Sequence, residues 1–309
     1  MTFRLFGITG LFALATTIQS QPQKTPRFEV STIKLNPACK TGPMPPGTQS
    51  ADRWRTECST VQDLIRSALL VFADGKTPDQ RTMRTEIVGG PDWVRSDYYS
   101  VEGKAEGRPP ILLMLGPMTR TLLEERFHLK VHTETTEAKV YALNLAKNGM
   151  RITRTQDGTC IAMNLNERPA EPTPGQAPPV YCGERLKGSP MLTQLEYKGV
   201  SMADFAARLA VRLDRDVIDK TGLTGNFDLQ LEFTPDETTP GFGRGGPGLA
   251  PGLVGVFPIR PPSATAVAAQ DPAGPSILNA IDGLGLKLEP AEGTRQILVI
   301  DSVERPTEN

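Results

Sequence analysis

The sequence predicts an α+β protein made of two tandem βαββαββ-like modules related by internal duplication, each a small sheet packed by two helices. Three correspondences point there. Thr60 to Leu69 and Ser201 to Ala210 match at a constant offset of 141, each opening on a hydroxyl residue with aspartate three positions on, Asp63 or Asp204. Ile87 to Trp93 matches Val217 to Leu223 at an offset of 130. Phe127 to Val131 matches Leu284 to Leu288 at an offset of 157. Such offsets change only where loops absorb insertions, as expected of a repeated packing unit.

Before the first module, Arg4 precedes an apolar run from Leu5 to Ile18, too short to span a bilayer, with small residues at Ala13, Ala15 and Ser20. Residues 1–20 therefore read as a signal peptide. The expected destination is the periplasm or the outside of the cell, with no transmembrane anchor after cleavage.

The first module, 27–150, opens on the alternating segment Phe28 to Ile33, read as a strand. Asn36 to Ser50 is rich in Pro and Gly and reads as loop. Thr60 is the expected N-cap of a helix, with Asp63 at the third position beside the positive end of its dipole. Val61, Leu64, Ile65, Ala68 and Leu69 form its buried stripe. A turn at Gly89-Gly90-Pro91-Asp92, a strand around Tyr99 to Glu102 and a helix over Ile111 to Glu125 follow. The module closes on a predicted hairpin: Phe127, Leu129 and Val131 run in, the chain turns near Thr135-Thr136-Glu137, and Tyr141, Leu143 and Leu145 return.

Residues 151–190 read as a linker. In the second module, 191–309, the helix stripe is Met202, Phe205, Ala206, Leu209, Ala210 and Leu213. A turn at Asp219 to Gly222, a strand at Phe227 to Gln230 and a short helix at Ile277 to Asp282 answer those of the first. A second hairpin is predicted, with its turn at Pro290-Ala291-Glu292-Gly293. Residues 234–275 are dense in Gly and Pro and read as an insertion that only this module carries.

Four cysteines in a chain bound for an oxidising compartment predict two disulfides. Three pairings are possible. Cys39–Cys58 and Cys160–Cys182 are favoured, because each pair brackets a turn-rich segment that a short-range bridge would hold down. The net charge of −1 is spread in both signs along the chain, unlike the concentrated basic footprint of a nucleic-acid binder.

No residue cluster carries visible chemistry, and catalytic, cofactor-binding and metal-binding residues are each expected to be none. His128 and His132 are the only histidines. They interleave with apolar residues as on a strand, where four residues span roughly 13 Å, too far for both to bind one zinc. Gly241 to Gly246 fits GxGxxG but sits inside the Gly/Pro-rich insertion, without the strand and helix that a dinucleotide fold needs. Lys220 to Gly225 has the wrong order for a phosphate loop and reads as a tight turn. Trp93 stands where the second module has Leu223 and is expected in the core, while Tyr98 is expected to be exposed. The carboxylate pairs Glu124/Glu125, Asp92/Asp97 and Asp219/Asp228 have no recognisable base opposite them.

The segments FEVSTIKLN (28–36), GGPDWVRSDYYSVEGKA (89–105), LLEERFHLKVHTETTEAKVYALNLAKNG (122–149), VIDKTGLTGNFDLQLEFTPD (217–236), LGLKLEP (284–290) and VIDSVERPTEN (299–309) resemble a soil-associated family of exported bacterial proteins of unknown function, abundant as paralogues in Acidobacteria. Ser100 departs from it, since the family more often has Asp there. The resemblance supplies no activity, substrate or site residues. Related domains fused to membrane peptidases of the antibiotic-sensor type imply sensing or envelope signalling. Each half is also similar in topology to the short N-terminal domains of secretins and TonB-dependent receptors, which implies protein recognition through exposed strand edges. The function expected is therefore a non-enzymatic interaction or sensing module of the cell envelope, with an envelope protein or peptide as partner and neither nucleic acid nor cofactor. The alternative is a carboxylate-dependent hydrolase or carbohydrate-acting enzyme with its site between the modules.

Overall fold

The structure, a computed structural model, describes residues 25–40, 48–147, 149–164, 179–189, 192–213, 215–239 and 274–307. The expected signal peptide, the GxGxxG segment and most of the 234–275 insertion lie outside the described residues.

Among the described residues the fold is α+β, with three four-stranded sheets and few helices. The first sheet holds β1 (Val30–Leu35), β2 (Thr48–Gln49), β3 (Arg53–Thr60) and β5 (Tyr98–Lys104), in the order β1-β5-β3-β2. Buried and half-buried positions alternate along β5, so Tyr99 and Val101 point into the core. Gly103 lies on the same strand because Phe28 stacks across it onto Trp54, and a Cβ there would sit 2.6 Å from the Phe28 ring.

Thr60 ends β3 and caps α1 (Val61–Ile65). Its hydroxyl accepts from the Asp63 amide while Asp63 accepts from the Thr60 amide, a complete capping box. The helix then widens into a π-helical segment, Arg66–Val71. The second expected helix is likewise broken: α3 (Ile111–Leu113), a π-segment Met114–Met118 and α4 (Thr119–Arg126). The π-segments pack on each other, and Gly116 permits it, since a Cβ there would lie 1.8 Å from the Phe72 carbonyl oxygen. Between them come β4 (Glu86–Gly89) and the short α2 (Trp93–Ser96).

The main correction concerns the two predicted hairpins. Thr135 to Glu137 form no turn: β6 (Lys130–Leu145) is one unbroken strand of 16 residues. The segment expected as a linker, 151–190, supplies β7 (Thr153–Arg154) and β8 (Gly183–Ser189). These flank β9 (Leu192–Ser201) and β11 (Asn226–Phe233) in the order β7-β11-β9-β8. Ser201 caps α5 (Met202–Arg212) through the Asp204 amide, and β10 (Val217–Asp219) follows. After α6 (Ile277–Gly283), β12 (Leu286–Ser302) is again continuous, passing straight through Pro290 to Gly293.

The two long strands pair with each other, antiparallel, from Leu286↔Leu145 to Ser302↔Lys130. They form the middle of the third sheet, β10-β6-β12-β4. Neither half therefore closes on itself. Leu298 and Ile300 of β12 lie in the core with β3, β5 and α4, whereas Tyr141 and Leu143 of β6 pack with β9, β11 and α5. The polar centres of the strands, read as turns, are where each crosses from one core to the other.

The two outer sheets share strand order and a local irregularity. Thr60↔Tyr98 and Thr56↔Val101 flank a bulge in the first, and Ser201↔Asn226 and Tyr197↔Leu229 flank one in the second. In the shared sheet β4 runs parallel to β12, with Ile87↔Leu298, and β10 runs parallel to β6, with Val217↔Tyr141. Disulfides join Cys39 to Cys58 and Cys160 to Cys182.

Candidate functional site

Most of the charged side chains singled out in the sequence have structural partners. His132 lies on β6 between Glu134 (2.9 Å) and Asp301 (2.7 Å), and these carboxylates, Glu134 foremost, raise its pKa above the ordinary imidazole value. His128 is not on the strand. It precedes it in a left-handed conformation (φ 49), 4.0 Å from Glu304. Among the described residues no group of three or more His, Cys, Asp or Glu could hold a metal ion.

Glu124 pairs with Arg120, and Glu125 with Arg27. Asp97 pairs with Arg305, whose guanidinium also lies over the Trp93 ring at 4.9 Å. Trp93 is thus half-buried, packed against the core of the first sheet with Arg305 over its outer face, and Tyr98 is half-buried rather than exposed. Asp219 closes the turn at Thr221 by accepting from its amide and hydroxyl. Burial works to raise the Asp228 carboxyl, but Lys198, Thr155 and the Gly199 amide outweigh it and hold it below the usual range. Asp92 precedes α2 without capping it through its side chain.

One buried cluster had no sequence signal. Glu184 on β8 receives Arg212 from α5, with Arg208 at 3.8 Å, beside the fully buried Tyr197 ring. Desolvation pushes the Tyr197 hydroxyl far up, so it stays protonated. The cluster ties the edge strand β8 to α5, and a lone carboxylate there would be costly without its arginines. Its residues come from positions far apart in the chain, which is why no local pattern marks them.

The two edges of the shared sheet, β4 and β10, are treated differently. In β4 the outward carbonyls of Ile87 and Gly89 both accept from the Arg95 guanidinium, at 3.3 and 2.7 Å. Arg66 donates to the carbonyls of Met83 and Thr85 just before the strand. In β10 the Asp216 carbonyl and the Lys220 amide bond to β6, so Val217 and Asp219 direct their amides and carbonyls away from the sheet. Among the described residues none of these outward main-chain groups has a partner.

The segment holding both edges, Gln80 to Val303, matches the family model described as a protein of unknown function, DUF3738. The chain belongs to the DUF3738 family. No curated protein and no solved structure matches it. The DUF3738 match takes in the whole ribbon of β6 and β12, β4 and β10, and the sheet of β7, β8, β9 and β11. It leaves out β1, β2, β3 and α1.

Two shallow clefts adjoin the ribbon in this DUF3738 chain. One of about 310 Å³ lies over Leu69, Leu129 and Val131 with Arg120, Glu124 and Lys130 at its rim. The other, of about 300 Å³, lies at the ribbon centre and the start of β10, lined by Glu137, Ala138, Lys139, Arg215, Asp216 and Arg295. Arg84 pairs with Asp216 across the halves and also donates to the Leu213 carbonyl, and Arg295 pairs with Glu86.

Proposed function

We propose that the protein is an exported, non-enzymatic interaction or sensing module of the cell envelope, built from a duplicated α/β unit and binding through a strand edge. One observation carries the reading: equivalent edges of one sheet are treated oppositely, β4 being capped by Arg95 while β10 is left open at Val217 and Asp219. An unpaired edge invites a strand from elsewhere, and folds that do not use one normally blunt it. The duplication is supported by the shared strand order of the outer sheets and by the matching bulges. It is supported also by the parallel pairings, since Ile87↔Leu298 becomes Val217↔Tyr141 under the offsets of 130 and 157. Two disulfides are compatible with an oxidising compartment.

Val217→Pro tests the reading. The Val217 amide faces outward, so proline there leaves the ladder to β6 intact while removing a donor from the edge. Immobilised full chain should retain a defined protein from envelope extract, and the Val217→Pro chain should lose it. Equal retention by both chains would refute the edge as the binding surface.

A further inference from the structure

We infer that the β10 edge is a self-association surface, on which a second copy of this chain adds its own β10 antiparallel about a two-fold axis at Ile218. The inference rests on the reading of β10 as a binding edge and names its occupant. Within β10 it is Val217 and Asp219 whose main-chain groups point outward, so an antiparallel partner that uses all of them places its own Asp219 against Val217 and its own Val217 against Asp219. In that register Ile218 meets Ile218 of the second copy, and Asp216 stands directly opposite its Lys220.

The side chains suit that pairing. Asp216, Ile218 and Lys220 alternate onto one face, with Ile218 half-buried against Val140 and Gly293 and Lys220 exposed at the end. The two-fold operation turns this acid-apolar-base order back on itself, giving two cross-strand opposite-charge pairs around an apolar contact. Directly opposed residues on one face are the ones that interact across a strand pair. The same operation on β4 would oppose Glu86 to Gly90, with no charge partner, and Arg95 already occupies its outward carbonyls. Capping and self-complementarity thus divide between the two edges as an interface on β10 alone requires. Shared use of one patch by both copies closes the assembly at two.

Sedimentation velocity on the full chain, from micromolar to hundreds of micromolar, tests it. The native chain is expected to pass from monomer to dimer with no larger species, and Val217→Pro is expected to remain monomeric. Lys220→Asp, on an exposed side chain, places aspartate opposite Asp216 and should weaken the dimer by about tenfold or more. Asp216→Lys combined with native Lys220 should weaken it similarly. Mixing the Lys220→Asp chain with the Asp216→Lys chain should restore association, because both opposite-charge pairs re-form only between unlike chains. A native chain that stays monomeric throughout, or a dimer indifferent to Val217→Pro and to Lys220→Asp, overturns the inference. So does a monomeric chain whose edge captures a foreign strand in a Val217-dependent way, although that result leaves the binding-edge reading standing.

Discussion

The proposed correspondence between the halves can be tested at a disulfide. At the offset of 141, Gly199 answers Cys58, and a Cβ built on Gly199 lies 2.7 Å from the Cys160 sulfur. The second half therefore holds its bridge at the same spot but draws the second sulfur from Cys182. Combining Gly199→Cys with Cys182→Ser should move the bond so that Cys160 joins the thiol introduced at position 199, copying the Cys39–Cys58 arrangement. The native bond closes a separation of 22 residues, which loop-closure entropy values at about 3.4 kcal/mol. A bond from 160 to 199 closes 39 residues, worth about 3.9 kcal/mol. Gly199 has φ +61, where a side chain costs about 1 kcal/mol. The double variant should therefore fall within about 1 kcal/mol of the native chain, whereas Cys182→Ser alone should lose about 3 kcal/mol. Non-reducing peptide mapping reads the connectivity and chemical denaturation the stability, with Cys39–Cys58 as the unchanged control. A free Cys160 in the double variant, or a stability no better than that of Cys182→Ser, refutes the correspondence at this site.

Three further outcomes follow from local geometry. Thr60→Ala and Ser201→Ala should each cost about 1 kcal/mol by urea denaturation, and Asp63→Ala should cost more than Asp204→Ala, because Asp63 also accepts the Thr60 amide. In an NMR titration His132 should titrate above the ordinary imidazole value, and Glu134→Gln should bring it down. Because its folded pKa is raised, its contribution to stability is full below the unfolded value and disappears as pH rises through the folded one. Gly116→Ala should lower the calorimetric stability by about 3 kcal/mol, since the new methyl meets the Phe72 backbone carbonyl, which cannot swing aside as a side chain could.

What the sequence made legible is what short-range physics encodes. The Thr60/Asp63 cap and the apolar stripe of α5 involve neighbours three or four residues apart, and they stand as read, whereas of the first stripe Val61, Leu64, Ile65 and Ala68 are buried and Leu69, carried onto the π-helical segment, is only half-buried. The hairpins misled because a polar interruption in an alternating segment has two physical causes. It marks a turn, or it marks a strand leaving one core and entering another, as at Thr135 to Glu137 and at Pro290 to Gly293. No local pattern separates the two. The π-segments depend on how close Gly116 comes to Phe72, and the capping of β4 depends on Arg95 reaching back across a turn. Both are consequences of packing. Leu223 pointed to Trp93 packing against the core, and it does so half-buried, but the Arg305 over the open face of its ring comes from the far end of the chain.

The sheet order β10-β6-β12-β4 gives the molecule two edges at opposite ends of one continuous sheet, and their unequal treatment bears on what the protein can assemble into. If both were open, β4 of one copy could also pair with β10 of the next, a head-to-tail contact that does not close and grows into filaments. Capping β4 forbids that contact, and a self-complementary β10 then limits growth to a dimer. Arg95→Ala should remove the block. The lost hydrogen bonds are partly exposed and worth about 1 kcal/mol in stability, so the fold should persist. Light scattering on the variant should show species beyond the dimer that grow with concentration, and adding Val217→Pro should abolish them by closing the other edge. A variant that remains no larger than the native chain would mean that Arg95 merely satisfies two carbonyls, and that something other than the cap protects β4.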